Sequence, residues 1–144
     1  MMFSFFMRRF EREQDQLAML FECLEQQAED ISEKVLKLAS HIVNIHHILL
    51  SDITNKKAES GAWDVFKCWE LGPLSRENFR NTYVTLLDMK EHLNEMEDAQ
   101  LEAMLMKLDY MLQHSAYHRG QLIQLLKDKG LFFPPLHLSI QQEF

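Results

Sequence analysis

The sequence predicts an all-α protein, a four-helix bundle with one long crossover connection, and two observations lead to this prediction. Four segments of about 20 to 30 residues repeat their apolar side chains at the three- and four-residue spacing of an amphipathic helix. No segment shows the apolar-polar alternation of a half-buried strand. The chain of 144 residues has the length of one domain, so residues 1–144 are expected to form a single helical bundle.

The first predicted helix runs from about Ser4 to Gln27. Its apolar stripe predicts the residues that face the core, namely Phe3, Phe10, Leu17, Phe21 and Leu24. Four polar residues are expected on its outer face, namely Glu11, Glu13, Asp15 and Gln16.

The second predicted helix starts after Asp30, which forms a variant of the capping box with Glu33. Its apolar stripe predicts the inward residues Val35, Leu38, Ile42, Ile45 and Leu49. Helical periodicity then fails from Ile53 to Leu74, a connection of about twenty residues that contains glycine and proline but also large apolar side chains. We interpret this connection as a lid over one end of the core. Alternatively, Trp63 or Trp69 forms the wall of a substrate pocket.

The third helix is expected to begin at Ser75 as its N-cap and to end near Met96. Its predicted inward residues are Phe79, Tyr83, Leu86, Leu87 and Leu93. The fourth helix is expected from about Asp98 to Lys129, with Gly130 as its C-terminal stop before the prolines.

Composition excludes several classes of function. With 22 acidic and 15 basic residues the chain carries a net charge of -7, which disfavours binding to nucleic acid. Cys23 and Cys68 are the two cysteines and form no Cys-x-x-Cys pair, so neither a disulfide framework nor a thiolate zinc site is indicated. No apolar run approaches the ~18 residues of a membrane span. These features predict a soluble, cytoplasmic protein without a membrane or nucleic-acid partner.

The fourth helix contains two histidines, His114 and His118, on an otherwise apolar face. Residues four apart lie one above the other on a helix, so both rings can reach a common point, as in a two-residue metal chelate. The spacing alone favours two core histidines that bind only protein groups over a metal site. Peptidase chemistry is disfavoured because the turn lacks the glutamate of the His-Glu-x-x-His helix.

The segment Tyr117-His118-Arg119-Gly120-Gln121-Leu122, preceded by His114 and followed by Gly130 and Pro134-Pro135, resembles the C-terminal motif of the DinB-like (DinB/YfiT-like) family of metal-dependent four-helix-bundle proteins. The resemblance implies a third ligand on the second helix. Residues 38–48 are similar to the family's first-ligand segment, and the analogy assigns this role to His41. The neighbouring His46 and His47 are turned away from it and are expected to face solvent or another helix.

A histidine triad of His41, His114 and His118 would bind a divalent metal ion such as zinc or nickel and leave a coordination position open. The resemblance implies a transferase that uses a low-molecular-weight thiol. Two alternatives stay open: a metal-activated hydrolase, and a non-enzymatic stress-response or ligand-binding bundle whose metal is structural or absent. No catalytic residue beyond the ligands is identified.

Several other residues are candidates for roles near such a site. Those expected to support the ligands or line the pocket are Asn44, Asp52 and Gln121. Tyr117 points away from the ligand face and is assigned to packing, and Gly120 is expected to let a neighbouring helix approach closely. The partner expected for the site is a small molecule. An exposed apolar cluster of Phe3, Phe5 and Phe6 further predicts a homodimer.

Overall fold

The computed structural model describes residues 2–134, which form four α-helices and, within that range, no strand. The helices are α1 (Met2–Gln26), α2 (Glu33–Ile53), α3 (Cys68–Glu91) and α4 (Asp98–Asp128), with short 3-10 helices at Ala28–Asp30 and Leu93–Glu95. They pack as a bundle around a core of phenylalanine and leucine side chains. The predicted fold class is confirmed. No described helix is long and apolar enough to cross a membrane.

The helices are arranged in the order α1, α3, α2 and α4 around the bundle. Helices α2 and α3 run parallel, because the Asn78 amide donates to the carbonyl of Val43 and His46 contacts Thr82 one turn further along both helices. Helices α2 and α4 are antiparallel, since His41 meets His114 while Asp52, near the other end of α2, pairs with Lys107. The α2–α4 pair therefore brings the middle of α2 beside the later half of α4.

The connection between α2 and α3, residues 54–67, returns along the side of α2. A parallel pair requires this path, because the chain leaves α2 at one end of the bundle and must enter α3 at the other. Four hydrogen bonds show that this return segment runs antiparallel to α2, because later residues of the segment bond to earlier residues of the helix. The bonded pairs are Glu59–His47, Ser60–Asn44, Ala62–His41 and Phe66–Ser40. The expected lid over one end of the core is wrong. The segment covers a flank of α2.

Two helix starts differ from the prediction. Ser32, not Asp30, caps α2, and its hydroxyl accepts the Val35 backbone N–H. Helix α3 begins at Cys68, and its first turn is closed by the carboxylate of Glu70, which accepts the Lys67 N–H. Ser75, the predicted cap, is buried within α3.

Several predicted outer and inner faces also require correction. Glu13 and Gln16 are buried in α1, although the other residues of its predicted outer face are exposed. On α3, Leu87 is half exposed, and Leu93 lies in the 3-10 helix that follows. A Cβ atom added at Gly120 would meet no atom within 4 Å, so close helix packing does not explain this glycine.

The apolar cluster that predicted a homodimer is mostly internal. Phe3 and Phe6 are buried in the core, and only Phe5 is exposed. The homodimer stays a prediction. At the other end of the chain, Gly130 has a positive φ of 70° and ends α4 as expected. Pro135, the second proline of the motif, lies outside the described residues.

Candidate metal centre

Three histidines from two helices meet at one point between α2 and α4. The ring centroid of His41 lies 4.9 Å from that of His114 and 5.1 Å from that of His118. The ring centroids of His114 and His118 are 4.4 Å apart. One ring nitrogen of each residue lies within 4.8 Å of the other two. The Nε2 atoms of His41 and His114 are 3.1 Å apart. Three nitrogens bound at zinc distances would be separated by ~3.3 Å, so small side-chain movements close the group around an ion.

The return segment holds the His41 ring from two sides. The Nδ1–H of His41 donates to the carbonyl oxygen of Ala62 over 2.8 Å. Because a carbonyl can only accept, this bond places the proton on Nδ1 and leaves the Nε2 lone pair directed at the other histidines. The indole of Trp63 stacks on the ring at 3.7 Å with an interplanar angle of 7°. Both the tautomer and the plane of His41 are therefore fixed.

His118 is oriented by a side chain of its own helix. Its Nδ1–H donates to Oε1 of Gln121 over 2.6 Å, and the Gln121 amide donates to the Tyr117 hydroxyl over 3.2 Å. The structure thus places Gln121 against a histidine of the group and leaves Nε2 of His118 available. Tyr117 is largely exposed and is not a packing residue.

Burial keeps two of the imidazoles neutral. Removal from water is the main cause that lowers the pKa of His114 to about 4, and the neighbouring rings of His118 and His41 contribute to the same shift. Burial is also the main cause that lowers the pKa of His41; the hydrogen bond to Ala62 opposes it, and His118 adds to it. Neutral imidazole is the form that binds metal, so at neutral pH these two rings can bind an ion without first releasing a proton.

Asn44 and Asp52 do not contact the histidine group. Asn44 is buried, and its amide donates to the carbonyl of Asp64 and accepts from the hydroxyl of Ser60. Asn44 therefore does not bind the histidines itself but attaches the return segment, whose Ala62 carbonyl orients His41. Asp52 is exposed near the end of α2 and pairs with Lys107, roughly 16 Å along the helix from His41.

The remaining histidines and tryptophan considered from the sequence lie elsewhere. His46 is buried against α3, where it contacts Thr82, and His47 accepts the Glu59 backbone N–H. Trp69 lies at the exposed start of α3 beside α1. Of the two tryptophans, only Trp63 is at the histidine group. His92 is exposed, as expected, in a surface group with Asp88 and Glu91.

A buried ion pair beside the site was missed by the sequence analysis. The Arg119 guanidinium donates two hydrogen bonds of 2.9 Å to the carboxylate of Glu13, and the Ser115 hydroxyl donates a third of 2.8 Å. Ser115 and Arg119 follow His114 and His118 by one residue, so they face α1 while the histidines face α2. The signal was present, since position 13 continues the inward stripe between Phe10 and Leu17.

In comparisons with known proteins, no family model, curated protein or solved structure matches this chain.

Proposed function

We propose that this protein binds one divalent metal ion through Nε2 of His41, His114 and His118. The main support is a pair of hydrogen bonds. His41 and His118 each donate Nδ1–H to an oxygen, so the Nε2 lone pairs of both rings are directed away from those oxygens. Metal-binding histidines commonly donate their other N–H to a carbonyl or carboxylate in this way.

The donor set fits a particular kind of ion and site. Three imidazoles suit zinc or nickel, and the group contains no carboxylate that would favour magnesium or calcium. Three protein donors also leave a fourth position for an exogenous ligand, as in catalytic zinc sites. The described residues around the ion would hold the donors in place and exclude water on the side covered by Trp63.

The activity proposed for this site is a transferase reaction with a low-molecular-weight thiol, which the resemblance of residues 114–122 to the DinB-like family supports. A bound divalent ion lowers the pKa of a coordinated thiol and thereby supplies a nucleophile near neutral pH. The residues of this chain would orient that thiol beside Trp63 and Tyr117. A hydrolase is less well supported, because no carboxylate belongs to the histidine group to act as general base.

Elemental analysis of protein purified without a histidine tag tests the metal proposal. We expect one zinc or nickel ion per chain in the wild type and none in His118→Ala. His92→Ala is the matched control, because it removes an exposed histidine from the surface group with Asp88 and Glu91. Circular dichroism establishes that both variants are folded. Equal metal content in His118→Ala and the wild type would contradict the proposal.

Thiol consumption in the presence of a panel of electrophiles tests the transferase activity. The wild type should consume thiol faster than His118→Ala and lose that advantage after chelation. Equal rates would remove the transferase proposal but not metal binding. Thermal melting after chelation distinguishes a structural ion, whose removal abolishes much of the stability, from one that serves mainly in catalysis.

A further inference from the structure

Each histidine of the group carries one exposed aromatic ring. Trp63 stacks on His41 at 3.7 Å, Tyr110 lies 5.7 Å from His114, and Tyr117 lies 5.1 Å from His118. Their exposed fractions are 54%, 53% and 65%. We call these three residues the aromatic rim. They come from two different parts of the chain, the return segment and α4, and therefore converge on the site only in the folded protein.

Two of the three rim residues, Trp63 and Tyr117, are restrained by side-chain contacts before any ligand arrives. Lys37 lies one helical turn before His41, and its ammonium group is 5.6 Å from the centre of the Trp63 ring. The Tyr117 hydroxyl accepts a hydrogen bond from Gln121. Exposed aromatic residues that are grouped and restrained in this way resemble a binding surface more than the scattered apolar residues of an ordinary protein exterior. Little conformational entropy would be lost when a flat ligand stacks on them.

Electrostatics decide which flat ligand the rim suits. Aromatic clusters also bind quaternary ammonium groups through cation–π contacts. Here the ammonium of Lys37 and a divalent ion would repel a cation, and the histidine group itself contains no carboxylate. A neutral or anionic molecule is therefore favoured over a cationic one.

We propose that the aromatic rim selects ligands with an aryl body and an anionic metal-binding head. The head would occupy the open position of the ion while the aryl body stacks on Tyr110 or Tyr117, because Trp63 already stacks on His41 and has the ammonium group of Lys37 over its ring. This inference rests on the proposed metal site and adds its ligand class. Stacking on one or two rings is expected to increase affinity by about tenfold.

Two hydroxamates with the same head provide the test. Benzohydroxamate carries a phenyl ring, and acetohydroxamate carries a methyl group. Zinc-loaded Trp69→Phe protein is titrated with each, so that Trp63 is the single tryptophan reporter, and calorimetry provides a second measure of affinity. We expect benzohydroxamate to bind about tenfold more tightly. The double variant Tyr110→Ala/Tyr117→Leu should lose that preference; because the two ligands share one head, any change of the metal site through the Tyr117–Gln121 hydrogen bond should alter both affinities alike.

Phe132→Ala is the control, because it removes an aromatic residue that is 81% exposed and lies outside the rim. It should leave the preference unchanged. Equal affinities for the two hydroxamates, or a preference that survives the tyrosine double variant, would overturn the aromatic-rim proposal and leave the metal proposal intact. If the wild-type protein bound neither zinc nor nickel, the metal proposal would fail, and this inference with it.

Discussion

His41 and His118 are oriented by different kinds of acceptor. His41 donates to the backbone carbonyl of Ala62, and His118 donates to the side chain of Gln121. A carbonyl is present in every residue, so no amino-acid pattern could reveal Ala62 as a partner. The spacing of His114, His118 and Gln121 in one helix was readable from the sequence. His41 was reached only through a resemblance, since no periodicity connects it with residues more than seventy positions later.

Gln121 can be tested by substitution. Gln121→Leu should weaken metal binding by about 10- to 100-fold, because the His118 ring loses the acceptor that fixes its tautomer and orientation. Gln121→Glu retains an acceptor and should bind at least as tightly as the wild type. Competition with a chromophoric chelator measures both affinities. Unchanged affinity in the leucine variant would show that Gln121 does not orient the ligand.

At the level of elements, α1 sets the orientation of α4, because it contacts the face of α4 that points away from the histidine group. Glu13 of α1 holds Arg119 and Ser115, which fixes the rotation of α4 about its axis and so the direction of its histidines. The side chains of Arg119 and Glu13 are 15% and 7% exposed. A charged pair at this depth depends on both members, because either one alone would be left in a poorly hydrated position.

Glu13→Ala should lower the free energy of unfolding by about 3–5 kcal/mol, since it leaves Arg119 buried without its partner. Asp109→Ala is the matched control: it breaks the more exposed Arg9–Asp109 pair between the same two helices and should cost about 0–1 kcal/mol. Urea unfolding at neutral pH measures both changes. Similar losses would show that the Glu13–Arg119 pair contributes no more to stability than the exposed Arg9–Asp109 pair. Glu13→Met combined with Arg119→Met should recover most of the stability, because it removes both charges together.

The start of α3 shows why its boundary could not be predicted. Its inward positions include Ser75, Asn78 and Thr82, which are buried but polar, so the apolar repeat is interrupted where the helix is in fact continuous. Gly72 and Pro73 reinforced the impression of a loop. Pro73 lies inside the helix, beyond its first turn, and has no N–H to donate to the carbonyl of Trp69. Helix α4, with few polar inward residues and a glycine stop, was predicted almost to the residue.

On the scale of the whole molecule, a buried histidine couples stability to pH. His46 contacts the Thr82 hydroxyl inside the bundle, and burial lowers its pKa to about 3, with a smaller effect from His47. The unfolded chain has a histidine pKa near 6.5 and therefore binds a proton that the folded protein excludes. Protonation of His46 in the unfolded chain therefore lowers the free energy of unfolding as the pH falls from 6.5 towards 3, and has no effect well above pH 6.5.

Urea unfolding at pH 7.5 and pH 5.5 tests this coupling. The His46 contribution should fall by about 1.4 kcal/mol between the two values. His41 and His114 also have lowered pKa values, so the pH dependence of the wild type alone does not isolate the effect of His46. His46→Gln should show a pH-dependent loss smaller by that amount, whereas the exposed His92→Gln should not. Equal pH dependence in His46→Gln and the wild type would exclude His46 as the source.

The order of the helices along the chain has a consequence for biosynthesis. His41 is made early, and its nearest partner in the group, His114, lies 73 positions later, on the last described helix. A nascent chain that has not yet added α4 contains only one histidine of the group and cannot form the chelate. Metal loading would therefore report that the final helix has docked, and a truncated or half-assembled chain would compete poorly for the cellular metal supply.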